Sequence, residues 1–188
     1  MFLQKEIIAP RLARLFAAAC ELECQVLLAV DGHEQAKRQA DQHRDKAAAG
    51  GGFPKLGKVL SILLSCTGIK DPQETAYLDA CLTLRNQLVH GSYREVLESI
   101  SQFDRLRIKD NVVTFDPPLG FAVPEFDTRL EAVLALTRTP GVCEEAVRIL
   151  EGGHLLLGLR VNQHYERLHG LGSMMTIPEF PWPRERAG

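Results

Sequence analysis

Over residues 3–30 the apolar side chains Leu3, Ile7, Ile8, Leu12, Leu15, Phe16, Ala19, Leu22, Val26 and Leu27 recur at spacings of three and four. That period lines one face of an α-helix, so a long helix with this stripe turned to a core is expected. Pro10 lies within the stripe and either starts the main helix or kinks it, because proline has no amide hydrogen to give the preceding turn. Residues 33–48 are polar and alanine-rich, which predicts an exposed helix stopped by Gly50-Gly51-Gly52. Phe53, Leu56, Val59, Leu60, Leu63 and Leu64 predict an amphipathic helix over 53–66. The best-marked start follows. Asp71 can cap a helix, Pro72 suits its first turn, and Glu74 sits three residues on, as in a capping box. This helix carries Tyr77, Leu78, Cys81, Leu84 and Leu88, with Gly91 as its stop signal.

Further helices are expected over 92–103, 125–138 and 141–168, the last opened by Thr139-Pro140. Gly152-Gly153 and Gly158 lower its helical propensity and imply a bend or a close packing contact. Between these helices, Arg105-Leu106-Arg107-Ile108 and Val112-Val113-Thr114-Phe115 flank Lys109-Asp110-Asn111, the pattern of a short β-hairpin near 105–115. Pro117-Pro118 and Gly120 read as loop. The expected fold is all-α: a helical bundle of about four core helices with accessory helices and this hairpin. Residues 1–170 form a single domain and 171–188 a proline-rich extended tail.

Composition narrows the classes. With 188 residues, 45% hydrophobic and 24% charged, the chain can bury a core and is not a disordered one. The formal net charge of −2 supplies no overall attraction for nucleic acid, so RNA contact would need a local basic patch. Lys37, Arg38, His43, Arg44 and Lys46 are interrupted by Glu34, Asp41 and Asp45, which reads as a solvated helix face. The N-terminus has no basic region followed by an apolar run, and no stretch of about 18 apolar residues occurs, so a cytoplasmic protein with no membrane contact is expected. The five cysteines, Cys20, Cys24, Cys66, Cys81 and Cys143, form no CxxC pair and are expected as buried reduced thiols. Cys20 and Cys24 stand one turn apart among leucines and alanines, favouring core packing over metal binding. His154, His164 and His169 are expected at the surface, since the last two miss the four-residue spacing of helical metal ligands. Gly52, Gly57 and Lys58 imitate a phosphate-binding loop. Val59 stands where magnesium binding requires a hydroxyl, and no strand precedes the segment. No metal and no cofactor is expected.

The remaining chemistry lies in Arg85-Asn86-Gln87-Leu88-Val89-His90, at the end of the helix with the clearest start. Asn86 and His90 are four apart and share a face; Arg85 lies about 100° round, within reach of a long side chain. A guanidinium, an amide and an imidazole in one small volume suit RNA cleavage, in which the ribose 2′-hydroxyl is the nucleophile. Histidine takes or gives the proton, arginine grips the phosphate and stabilises its growing charge, and no metal is required.

The pattern Arg85-Asn86-x-x-x-His90 resembles the signature motif of the HEPN superfamily. The resemblance covers about ten residues, and the helices around them are compatible with it. It implies a bundle that dimerises and sets two motifs in one interface cleft. It further implies metal-independent endoribonuclease activity of the toxin–antitoxin or defence kind, with RNA and a cognate antitoxin protein as partners. Arg85 and His90 would be catalytic and Asn86 the supporting polar residue. The alternative within the same family is a non-catalytic dimeric binding or scaffold module. Some HEPN toxins carry a partner-modified tyrosine two residues after the histidine. Here that position is Ser92, and Tyr93 comes one later.

Overall fold

The computed structural model describes residues 2–50, 55–103, 106–109, 112–115, 120–122 and 129–170. The described chain is mostly helical: α1 (Phe2–Asp31), α2 (Glu34–Ala49), α3 (Leu56–Thr67), α4 (Pro72–His90), α5 (Tyr93–Ile100), α6 (Arg129–Arg138) and α7 (Pro140–Leu168). Three short strands, β1 (Leu106–Lys109), β2 (Val112–Phe115) and β3 (Gly120–Ala122), stand between α5 and α6 in antiparallel order β1-β2-β3. Lys109 pairs with Val112 and Thr114 with Gly120. Gly120, expected in a loop, thus begins a strand that gives the other edge of β2 a partner. Asp110 and Asn111 of the expected turn, and the tail 171–188, lie outside the described residues. Among the described residues no helix is long and apolar enough to cross a membrane.

Helix α1 runs through Pro10 without a break in its assignment. It packs most extensively on α7, and α4 also packs on α7. The buried face of α1 holds Leu15, Ala18, Ala19, Leu22, Val26, Ala29 and Val30. Phe16 and Leu27, assigned to the stripe from their spacing, are instead exposed. The core-facing line runs through Leu15, Leu22 and Ala29, and these two residues lie about 100° round from it or more. Cys81 and Cys143 are buried, but Cys20 and Cys24 are exposed, correcting the expectation of buried thiols for that pair. They occupy the outer face of α1, where flanking leucine and alanine in sequence do not mean neighbours in space.

Polar contacts fix the start of α4 and tie it to α7. Asp71 caps α4 as expected, its Oδ1 accepting from the amides of Gln73 (2.9 Å) and Glu74 (3.0 Å), with Pro72 in the first turn. Glu74 does not complete a capping box: it is only 5% exposed, and its carboxylate takes Arg160 Nε at 3.0 and 2.8 Å, with Arg160 Nη2 also donating. Arg160 Nη1 then donates to Gln163 Oε1 at 2.6 Å. The capping box belongs to α5, where Ser92 N–H donates to Glu95 Oε2 (2.6 Å) and Ser92 Oγ accepts from Glu95 N–H (3.2 Å). Donation from the Ser92 amide first, and from its side chain second, holds the Glu95 carboxyl below its usual pKa.

Gly153 marks the tightest approach. A Cβ placed there would lie 2.8 Å from Cys81 Sγ and 3.5 Å from Leu22 Cδ1, so α1, α4 and α7 meet at this point. Beside it, the Tyr77 hydroxyl (3.1 Å) and the Cys81 thiol (3.4 Å) both donate to the Ile149 carbonyl. Burial pushes the pKa of both groups well up, so they remain neutral donors. The glycine expected to permit a bend or a close contact serves the close contact.

Two outcomes follow. Arg160→Ala leaves the Glu74 carboxylate buried without its cation and lowers stability by about 3 kcal/mol, whereas Glu74→Leu with Arg160→Met recovers most of the loss; chemical denaturation of the three variants checks this. Gly153→Ala destabilises the wild-type background by about 1–3 kcal/mol through overpacking, and destabilises a Cys81→Ala background less, because Sγ is then gone while the Cβ of residue 81, 3.0 Å away, remains. Additive effects in that cycle would refute the contact.

Candidate functional site

The motif ends α4. Leu84 and Leu88 are buried and anchor the last turns, leaving Asn86 and His90 exposed one turn apart on the opposite side. Gly91 stops the helix with φ −81° and ψ 172°, and its N–H donates to Gln87 O at 2.8 Å. This is extended backbone that any residue adopts, so the left-handed stop expected of a glycine is absent. Glycine is required by space: a Cβ at position 91 would lie 2.9 Å from Gln87 Cα.

Arg85 points toward α1. Its Nη1 donates to Asn86 Oδ1 at 3.1 Å and its Nη2 donates to Glu23 of α1. The side chains of Arg85 and Glu23 are 18% and 34% exposed, so the pair is half-sheltered from solvent. Arg85 and Asn86 are therefore brought together. His90 stands about 7.5 Å along the helix axis from Arg85 and about 140° round from it. Tyr93 is 3% exposed, and its hydroxyl hydrogen-bonds with Thr139. Burial raises its pKa, and its ring is not offered to a modifying partner.

Glu23 is the residue that sequence inspection missed. It lies 62 positions before Arg85, and no local pattern links the two. Outside the motif, the basic stretch of α2 is largely neutralised by local carboxylates. Lys37 pairs with Asp31 (3.0 Å), Arg44 with Asp41 (3.0 Å) and Arg38 with Glu34. Gly57, Lys58 and Val59 of the loop-like segment belong to α3, where they form no phosphate cradle; Gly52 lies outside the described residues. His154 is partly exposed, 3.8 Å from Glu21, and His169 is exposed beside Tyr165.

His164 is partly exposed, as His154 is. Its ring lies 5.2 Å from that of His33, whose Nδ1 caps α2 by accepting from Ala36 N–H at 3.3 Å. Burial first, then the charges of His33 and Arg167, lower the His164 pKa from its ordinary 6.5. A lowered base binds fewer protons folded than unfolded. Stability is then complete above the ordinary value and is lost as pH falls below it. The melting temperature is expected to drop between about pH 7 and pH 5, and His164→Gln to flatten that drop. An unchanged pH slope in the variant would exclude His164 as its source.

No family model, curated protein or solved structure matches this chain.

Proposed function

We propose that the chain is a HEPN-like, metal-independent endoribonuclease of the toxin or defence type. It would act in the cytoplasm as a homodimer whose motifs share a cleft, with RNA as substrate and a cognate antitoxin protein as partner. The observation that carries the proposal is the end of α4: Asn86 and His90 are exposed on one face, and the Arg85 guanidinium is laid against the Asn86 amide. In this mechanism the His90 imidazole takes the proton of the ribose 2′-hydroxyl as its oxygen attacks the adjacent phosphorus. The bond to the 5′-oxygen breaks, and that oxygen is protonated from solvent or from the second imidazole of a shared cleft. Arg85 stabilises the charge on the phosphoryl oxygens, and Asn86 holds the guanidinium in place.

A second assignment, a non-catalytic dimeric binding or scaffold module, is favoured by one observation: Arg85 already has a carboxylate partner in Glu23. The two are separated by cleavage assays on single-stranded RNA. Arg85→Ala and His90→Ala should each lower the rate at least about 100-fold with unchanged helical content, and should relieve any growth inhibition caused by expression. Cleavage retained by the doubly substituted protein excludes this site. A wild-type dimer that cleaves no RNA, and whose association either substitution weakens, supports the module.

A further inference from the structure

The Arg85–Glu23 pair has a consequence for what the motif can bind. Both exposed polar members of the motif and its cation lie at one end of α4, yet that cation is neutralised in place by a residue of another helix. The exposed pairs Arg14–Glu151, Arg38–Glu34 and Arg94–Glu98 lie in solvent, where screening makes them weak. The Arg85–Glu23 pair is better sheltered than these, so its mutual attraction is screened less. Glu23 is also held at its root. Its neighbour Leu22 is buried against the Gly153 contact, and Val26, less than one turn on, is fully buried. The backbone of α1 at this point is thus packed into the core, while the Glu23 side chain is 34% exposed.

A guanidinium has five N–H groups. Asn86 takes one on Nη1 and Glu23 one on Nη2, so three further N–H groups are not engaged by these two side chains. An anion approaching those donors meets the carboxylate's charge as well as the guanidinium's. We infer that Glu23 is a counter-ion gate on Arg85: a phosphodiester group of single-stranded RNA gains the full charge of Arg85 only by displacing the Glu23 carboxylate. This rests on the RNA-directed assignment of the motif and names a positioning residue for it.

The test uses the full chain and a fluorescent single-stranded RNA carrying 2′-O-methyl groups throughout, which blocks the attacking hydroxyl and leaves binding alone to be read. Glu23→Gln keeps the size of the side chain and an acceptor for Arg85 but removes the charge. It should tighten binding about tenfold and steepen the dependence of log affinity on log salt by about 0.7, the increment for one further phosphate neutralised on a single strand. Glu23→Asp, which keeps the charge, should bind as weakly as wild type. Glu23→Gln with Arg85→Ala should lose the whole gain. Circular dichroism of each variant confirms the fold. Binding by Glu23→Gln that is unchanged or weaker, or a gain that survives Arg85→Ala, overturns the gate. Cleavage of unmodified RNA is followed in parallel. An Arg85-dependent gain in binding without cleavage by any variant keeps the gate and sinks the nuclease. Arg85-dependent cleavage without a gain does the reverse.

Discussion

The close approach at Gly153 is the constraint on which the site depends. Three helices meet where α7 has no side chain: Cys81 of α4 takes the space of a Cβ there, and Leu22 of α1 lies at ordinary contact distance, 3.5 Å. The Ile149 carbonyl receives both the Tyr77 hydroxyl and the Cys81 thiol, which adds direction to a contact that packing alone would leave free to slide. Leu22 and Cys81 are the anchors for the residues that follow them. Glu23 is next to Leu22 in α1, and Arg85 is one turn beyond Cys81 in α4. The ion pair at the motif is therefore held by a core contact about one turn away.

A second anchor sets the other end of α4. The Asp71 cap satisfies the first amides, and Arg160 of α7 takes the buried Glu74 carboxylate. Desolvating a carboxylate is costly, and the arginine fork offsets much of that cost through several charge-assisted hydrogen bonds. With Glu74 and Cys81 both tied to α7, α4 is held at two points along its length, and its C-terminal turn presents Asn86 and His90 to solvent. A catalytic or binding constellation gains from this arrangement, because side chains on a supported helix keep their positions better than side chains on a loop.

The exposed face of α1 bears on partners. Phe16, Cys20, Leu27 and Leu28 are open to solvent on a helix whose other face is core. By helical geometry Phe16, Cys20 and Leu27 lie within about 60° of Glu23, on the side that meets the motif. Among the described residues, large apolar side chains are also exposed on α7, at Leu155, Tyr165 and Leu168.

Much of this was legible in the amino-acid sequence. The helical class, the Asp71-Pro72 start of α4, the placement of Arg85, Asn86 and His90 at its end, and a special role for the glycines of α7 all follow from local rules: a period of 3.6 residues, capping chemistry and glycine's lack of a side chain. What those rules could not reach depends on contacts between segments distant in the chain. Glu74 has the spacing of a capping-box residue, yet Arg160, 86 positions away, takes its carboxylate. Phe16, Leu27, Cys20 and Cys24 have the spacing or neighbours of core residues, yet face outward because only one side of α1 is covered by α3 and α7. Arg85 is visible as a cation from its letter alone, but its charge is matched by Glu23, 62 positions earlier, only because the fold lays α1 beside the end of α4. Local sequence determines which side chains a helix offers and on which face. Whether an offered charge is free or already answered is decided by which helix packs beside it.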